Sequence, residues 1–203
     1  MIDPTKLSYG CIMATQTDRE AAKSLKALKL QSRTATELPK KHMLPDVDHN
    51  YQNGYGMCFA CVENWWVAHA YRLEYGELKK FSPGFIYGNR IKNNYKTEGM
   101  VVNLALADLI DNGVCEFADY PKMGDYRTCA AGITDAMRQK AKPQHAASAV
   151  CLFPEIANTR GRALTVDRIL EIKNYIYSTK LPVLYNMYVY AKSYQTNPVD
   201  MVS

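Results

Sequence analysis

The chain of 203 residues has no apolar run approaching the roughly 20 residues that a membrane-spanning helix needs, so no span and no membrane partner is expected. It also has no block of five like charges. Its 25 Lys and Arg and 20 Asp and Glu are scattered, and a net charge of +5 distributed in this way gives no nucleic-acid surface. No basic start leads into an apolar h-region, so the N-terminus does not read as a signal peptide, and the compartment is left open. No low-complexity tract interrupts the chain, and with 47% apolar residues its length suffices for one domain with a sizeable core or two small lobes. Histidine is scarce: there are four, at 42, 49, 69 and 145, and none follows His145. Any chemistry that needs imidazole has few places to find it.

What is there concentrates in Gln52-Asn53-Gly54-Tyr55-Gly56-Met57-Cys58-Phe59-Ala60-Cys61. This run sets a cysteine at the start of an apolar helix with a glutamine six residues upstream. A cysteine in that position faces unpaired backbone N–H groups and the positive end of the helix dipole, which favour thiolate over thiol. The Gln52 amide and the Cys58 N–H can both donate to the oxyanion of a tetrahedral acyl intermediate. Gly54 and Gly56 let the backbone approach a substrate closely.

The run resembles the nucleophile segment of papain-like cysteine peptidases, in particular their bacterial branches, with Gln, five residues, then Cys, an aromatic and Ala. The resemblance makes Gln52 the oxyanion glutamine and Cys58 the nucleophile, with Phe59 at the usual Trp. It continues in the family's order. Leu38-Pro39 or Leu44-Pro45 looks like the opening of the mature domain, and Gly76-Glu77-Leu78 with Phe81-Ser82-Pro83-Gly84-Phe85 like the run after the central helix. Gly99 and the stretch to Asp111 resemble the glycine wall of the substrate cleft and its helix. Asn112-Gly113-Val114 and Tyr120-Pro121 follow as the next turn, and Leu181-Pro182-Val183 as the entry to the second, β-rich half. The resemblance implies an α+β papain-like two-lobe fold, substrate binding at Gly56 and Gly99, a peptide or protein substrate, and no cofactor or metal. It also favours a secreted or cell-surface setting.

The family's general base is a histidine about 130 to 150 residues beyond the cysteine, oriented by an Asn. From Cys58 that window opens at about position 188, and no histidine stands there. His69 sits eleven residues along the same helix, about 16 Å from Cys58, and reads as a packed or surface residue. His42, His49 and His145 stand at the wrong chain positions. The chain is therefore expected to hold the helical lobe and only the start of the β-rich one. Its expected function is peptide hydrolysis through a Cys thiolate and acyl-enzyme in a longer enzyme. The alternative is a non-catalytic papain-like module that binds peptides without cutting.

Six cysteines stand at 11, 58, 61, 115, 129 and 151. Cys58 and Cys61 form a C-x-x-C at a helix start, the motif of thioredoxin-like redox proteins, but the polar segment Asp48 to Gly54 before it is not the buried strand that reading wants. Cys61 reads instead as a small core residue one turn along. A zinc site using Cys58, Cys61, Cys115 and Cys129 fails on the spacing of the second pair. Cys115 and Cys129 can either bridge a short loop or remain free thiols.

Periodicity and capping signals place the elements. Asp18 to Leu30 reads as an amphipathic helix in an N-terminal arm or short prosegment, residues 1–37, ahead of a peptidase domain at 38–203 that divides at 164. Cys58 to Tyr75 is the central helix, with Val62, Trp65, Trp66, His69 and Leu73 at helical spacing and Gly76 as terminator. Val101 to Asp111 is a second helix and Ala130 to Ala141 a short one. Thr165 caps a helix to Thr179, and Leu181 to Tyr190 reads as a strand. An unfinished strand edge of this kind is expected to be covered by further chain, by the N-terminal arm or by a second copy in a homo-oligomer.

Overall fold

The computed structural model describes residues 11–12, 26–27, 38–46, 52, 54–90, 98–146, 149–153 and 165–185. Its longest element is helix α1, Cys58–Tyr75, which starts and stops where the sequence signals lie. Gly76 ends it in the left-handed conformation at φ 81°, its N–H donating to the Arg72 carbonyl at 2.9 Å. Only glycine adopts that conformation without strain.

The face that α1 buries differs from the expected one. Phe59, Ala60, Glu63, Asn64, Val67, Ala68 and His69 are buried, whereas Val62 and Leu73 remain 42% and 43% exposed and the two Trp are only half-buried. Apolar side chains occur all round this helix, so periodicity alone does not identify its inner side. The buried set includes two alanines and three polar residues, Glu63, Asn64 and His69, a combination that hydrophobicity ranks low.

Helix α2, Pro83–Asn89, is buried along its whole length. Ser82 caps it: its Oγ accepts from the Phe85 N–H at 3.0 Å, and Pro83 occupies the first turn, where a missing N–H costs nothing. The same Oγ donates to the Tyr120 carbonyl, and the Ser82 N–H donates to the Cys115 carbonyl at 2.9 Å. One residue thus ties the helix start to two neighbouring segments. An antiparallel bridge between Phe81 and Glu116 extends this join.

Strand β3, Met100–Val101, leads directly into helix α3, Val102–Asn112, which Gly113 closes at φ 70°. The expected helix is present with its ends moved by one residue. The expected single helix from Ala130 to Ala141 is two: α4, Tyr126–Ala131, and α5, Asp135–Ala141. Asp125 and Thr134 each accept a hydrogen bond from the backbone N–H three residues on, so a second cap after Gly132 starts a new helix. Helix α2 packs most extensively on α4 and next on α1. Close approach makes this possible. A Cβ on Gly84 would lie 1.8 Å from the Lys122 carbonyl oxygen, and one on Gly88 2.6 Å from the Cys129 carbonyl carbon.

The strands are two residues long. β1, Cys11–Ile12, runs parallel to β3, and β2, Lys26–Ala27, runs parallel to β4, Val150–Cys151. Lys26 and Ala27 therefore correct the helix expected over Asp18 to Leu30. Helix propensity is a weak preference that pairing with a distant strand overrides; the rest of that segment lies outside the described residues. Helix α6, Val166–Thr179, starts from Thr165 as expected, with the Thr165 side chain accepting from the Arg168 N–H at 3.3 Å. None of its residues is fully buried. Residues 181–185, expected to begin a strand, form none: Lys180 turns the chain at φ 61°, and among the described residues no strand pairs with this segment. Positions 186–190 lie outside the described residues. The result is helix-rich with little strand, around a core that includes Met57, Phe81, Phe85, Tyr87, Met100 and Val114.

Substituting Gly88→Ala tests this packing by its sign. In an open helix the change would stabilise by about 1 kcal/mol through helix propensity. Against the α4 backbone it should cost about 1–3 kcal/mol, lowering Tm by roughly 3–10 °C. A rise in Tm by thermal denaturation would show that α2 and α4 are not in backbone contact.

Candidate active site

The segment before α1 is a tight turn. The Tyr55 N–H donates to the Gln52 carbonyl at 3.0 Å, Gly54 is exposed at φ 78°, and Gly56 and Met57 are buried. Cys58 is the first residue of the helix and is half-buried, as is Gln52. Cys61 donates the first backbone bond of the helix, to the Met57 carbonyl at 3.1 Å. Met57 supplies no side-chain cap, and no acidic residue stands in the first turn. A side-chain cap would contribute about 1 kcal/mol to a helix start. Leaving it out keeps the positive end of the helix dipole, where Cys58 stands, uncompensated by a side chain.

The other described thiols lie in different surroundings. Burial pushes Cys61 up to about 12, with the charge of Cys58 adding to the effect. Cys115 and Cys129, both buried, are each pushed up to about 11, again chiefly by burial. Their sulfurs donate to the Met137 and Gly124 carbonyls at 3.3 and 3.6 Å, and both are free thiols. The bridge between them, one of two readings of the sequence, is not formed. Cys61 packs against the core as expected but is only partly buried, one turn from Cys58.

Gly99 is buried at φ 92°, a backbone conformation that favours glycine. Its N–H donates to the Tyr87 hydroxyl at 3.2 Å, and its carbonyl accepts from Arg90 Nη1. The Tyr87 hydroxyl donates in turn to Glu98, and the Arg90 guanidinium lies 4.2 Å from the Tyr87 ring centroid. Nothing local in the sequence points to Tyr87 and Arg90, because their link to Gly99 is made by folding. Burial is the largest influence on both, holding the phenol above its ordinary range and the guanidinium below.

The described histidines are engaged elsewhere. His69 is fully buried edge-on to Trp65 at 5.2 Å, its pKa lowered by desolvation and by Arg72. The helix rise puts it about 16 Å from Cys58, as expected. The exposed His42 ring meets Tyr177 at 5.2 Å, and His145 Nδ1 lies 2.8 Å from the Lys142 carbonyl oxygen. His49 lies outside the described residues. Among the described residues no group of three or more His, Cys, Asp or Glu side chains is arranged to hold a metal, and no helix is long and apolar enough to cross a membrane.

A second polar place lies behind the helix start. Glu63 is fully buried with neither carboxylate oxygen hydrogen-bonded, and it lines a small cavity with Asn89, Asp108 and Gly113. Desolvation holds its pKa well above the ordinary 4.5, and the Asp108 charge adds to the rise.

Xylellain, a cysteine protease from Xylella fastidiosa, has a structure similar to this one, with a TM-score of 0.58 at 19% sequence identity over 84% of this chain. This chain spans 63% of the length of that structure. No protein-family model matches the chain, and no curated protein matches it by sequence. At this identity the likeness is one of fold.

Glu63 yields a prediction whose sign follows from its raised pKa. In the folded state it holds its proton to a higher pH than in the unfolded chain, so the folded state binds more protons once pH exceeds about 4.5. Stability is then lost as pH rises through that window. Glu63→Gln, which keeps the shape and removes the titration, should match the wild type in Tm near pH 4 and exceed it increasingly towards neutrality. Parallel Tm profiles for the two proteins would mean that Glu63 is solvated.

Proposed function

We propose that this chain is the helical, cysteine-bearing part of a papain-like cysteine peptidase. Cys58 is the nucleophile, Gln52 the side-chain oxyanion donor, and Gly56 and Gly99 flank the path of a peptide or protein substrate. The observation that carries this reading is a half-exposed cysteine at the uncapped first position of the longest helix, in a fold similar to that of a cysteine protease. Residues 38–164 then correspond to the helical lobe, 165–203 to the start of the β-rich one, and 1–37 to an arm or short prosegment. The apolar residues exposed on α6, Val166 at 73%, Ile169 at 41% and Leu170 at 45%, fit a helix that a further part of such a lobe would cover.

The chemistry divides into two halves with different requirements. In the first, the Cys58 thiolate attacks the substrate carbonyl and the negative charge moves to oxygen, where the Cys58 N–H and the Gln52 amide can donate to it. In the second, the tetrahedral intermediate collapses to an acyl-enzyme and expels the leaving group. An amine leaves only when protonated, and the family uses imidazolium for that. Among the described residues, His42, His69 and His145 have their contacts elsewhere, which supports a site able to begin the reaction on a substrate without a described imidazole to expel an amine from it. The same observation favours the second reading, a module that holds peptides without cutting them.

An activated ester separates these readings, because nitrophenolate leaves without a proton. Mixing the 203-residue chain with a peptide p-nitrophenyl ester should release a burst of one nitrophenolate per chain. Cys58→Ala should abolish the burst, and Gln52→Ala should slow it by about 10²- to 10³-fold. The corresponding peptide amide should remain uncut. A burst that survives Cys58→Ala would remove Cys58 as nucleophile, Cys58-dependent cleavage of the amide would reveal a working base, and peptide binding with no burst would select the binding module.

A further inference from the structure

Cys61 has no part in the acyl-transfer chemistry, yet it stands one helical turn from Cys58. Three residues apart on an α-helix place the two Cα atoms about 5 Å from each other, inside the range of about 4.4–6.8 Å that a disulfide spans. Both residues are half-exposed, unlike Cys115 and Cys129. Their electrostatic proximity is direct, since the Cys58 charge is among the causes that hold the Cys61 proton in place. Opening the disulfide therefore needs no rearrangement of the fold, and closing it needs only side-chain rotation at a helix end that carries no cap bond.

We propose that Cys58 and Cys61 form a dithiol modification site, in which a hydroperoxide converts Cys58 to a sulfenic acid and Cys61 closes it as a Cys58–Cys61 disulfide. The proposal rests on the reading of Cys58 as the reactive thiol. In the first step the Cys58 thiolate attacks one peroxide oxygen, the O–O bond breaks, and hydroxide leaves: Cys58–S⁻ and H₂O₂ give Cys58–SOH and OH⁻. In the second, with the Cys58 charge that helped hold the Cys61 proton now gone, the Cys61 thiol gives up that proton as its sulfur attacks the Cys58 sulfur, the S–O bond breaks, and the proton leaves with the oxygen as water. Two thiol sulfurs are each oxidised by one electron and the peroxide is reduced by two, so the balance closes.

The division of labour follows from the surroundings. At neutral pH Cys61, held at about 12, is a thiol and does not compete for peroxide, so the oxidant meets one thiolate rather than two. An unresolved sulfenic acid would go on to sulfinic acid, which is irreversible for most proteins. The disulfide stops at a state that an external thiol reverses. The pair therefore acts as a guard on the nucleophile: while the bond is closed, the thiolate that would attack a carbonyl does not exist.

The test uses the full 203-residue chain, hydrogen peroxide, and peptide mass mapping. Peroxide should yield a Cys58–Cys61 linked peptide that dithiothreitol reopens. In Cys61→Ser, and again in Cys61→Ala, Cys58 should instead be trapped by dimedone and should reach sulfinic acid about ten-fold faster, since a partner on the same helix turn has an effective concentration well above that of submillimolar peroxide. Equal rates of Cys58 over-oxidation in wild type and both variants, with Cys61 still open to alkylation, would overturn the proposal. Iodoacetamide mapping of the reduced protein separates this result from the peptidase reading. Fast alkylation of Cys58 without disulfide formation sinks the guard alone, whereas slow alkylation of Cys58 sinks the nucleophile on which both rest.

Discussion

The backbone contact between α2 and α4 is the constraint on which the rest of the structure depends. Gly88 has no room for a side chain, and its neighbour on the same helix face, Gly84, has none either. Because α2 is held this closely on one side, its other side can receive α1, and Met57 and Phe59 at the start of α1 are buried in the same core as Phe81 and Phe85. Burying each such side chain contributes about 2 kcal/mol. That is enough to hold the first turn of α1 without a capping side chain, so the end of the helix that carries Cys58 is fixed by packing rather than by a polar cap.

This division explains what the sequence made legible. The start of α1 at Cys58, its stop at Gly76, the closure of α3 at Asn112-Gly113 and the Thr165 cap of α6 are written in local chemistry, and the structure has each of them. What local chemistry does not carry is less legible. The buried face of α1 includes Glu63 and Asn64, which no hydrophobic pattern selects, and leaves out Val62 and Leu73. The pairing of Lys26 with Val150 joins segments more than a hundred residues apart and overrides a helical pattern. The second cap at Thr134 divides what looked like one short helix.

The candidate site divides along the same line. Gln52, Gly56 and Cys58 lie in one short turn and were legible together, whereas the Tyr87–Glu98–Arg90 group that fixes Gly99 is assembled by folding. The environment of the cysteines was also hidden. Spacing marks Cys58 and Cys61 as a pair, but it does not carry the burial that pushes Cys61, Cys115 and Cys129 up to about 12, 11 and 11. The proposed nucleophile rests on the uncapped helix start, where a helix dipole favours the charged form of a thiol.

That bias is the central claim, and the pH dependence of alkylation measures it directly. With each cysteine followed by mass mapping after brief exposure to iodoacetamide, Cys58 should react with a midpoint below the ordinary thiol value of about 8.5, while Cys61, Cys115 and Cys129 gain reactivity only in strongly alkaline solution. A Cys58 midpoint at or above that of an ordinary thiol would contradict the account, because the helix start would then be doing nothing to form a nucleophile.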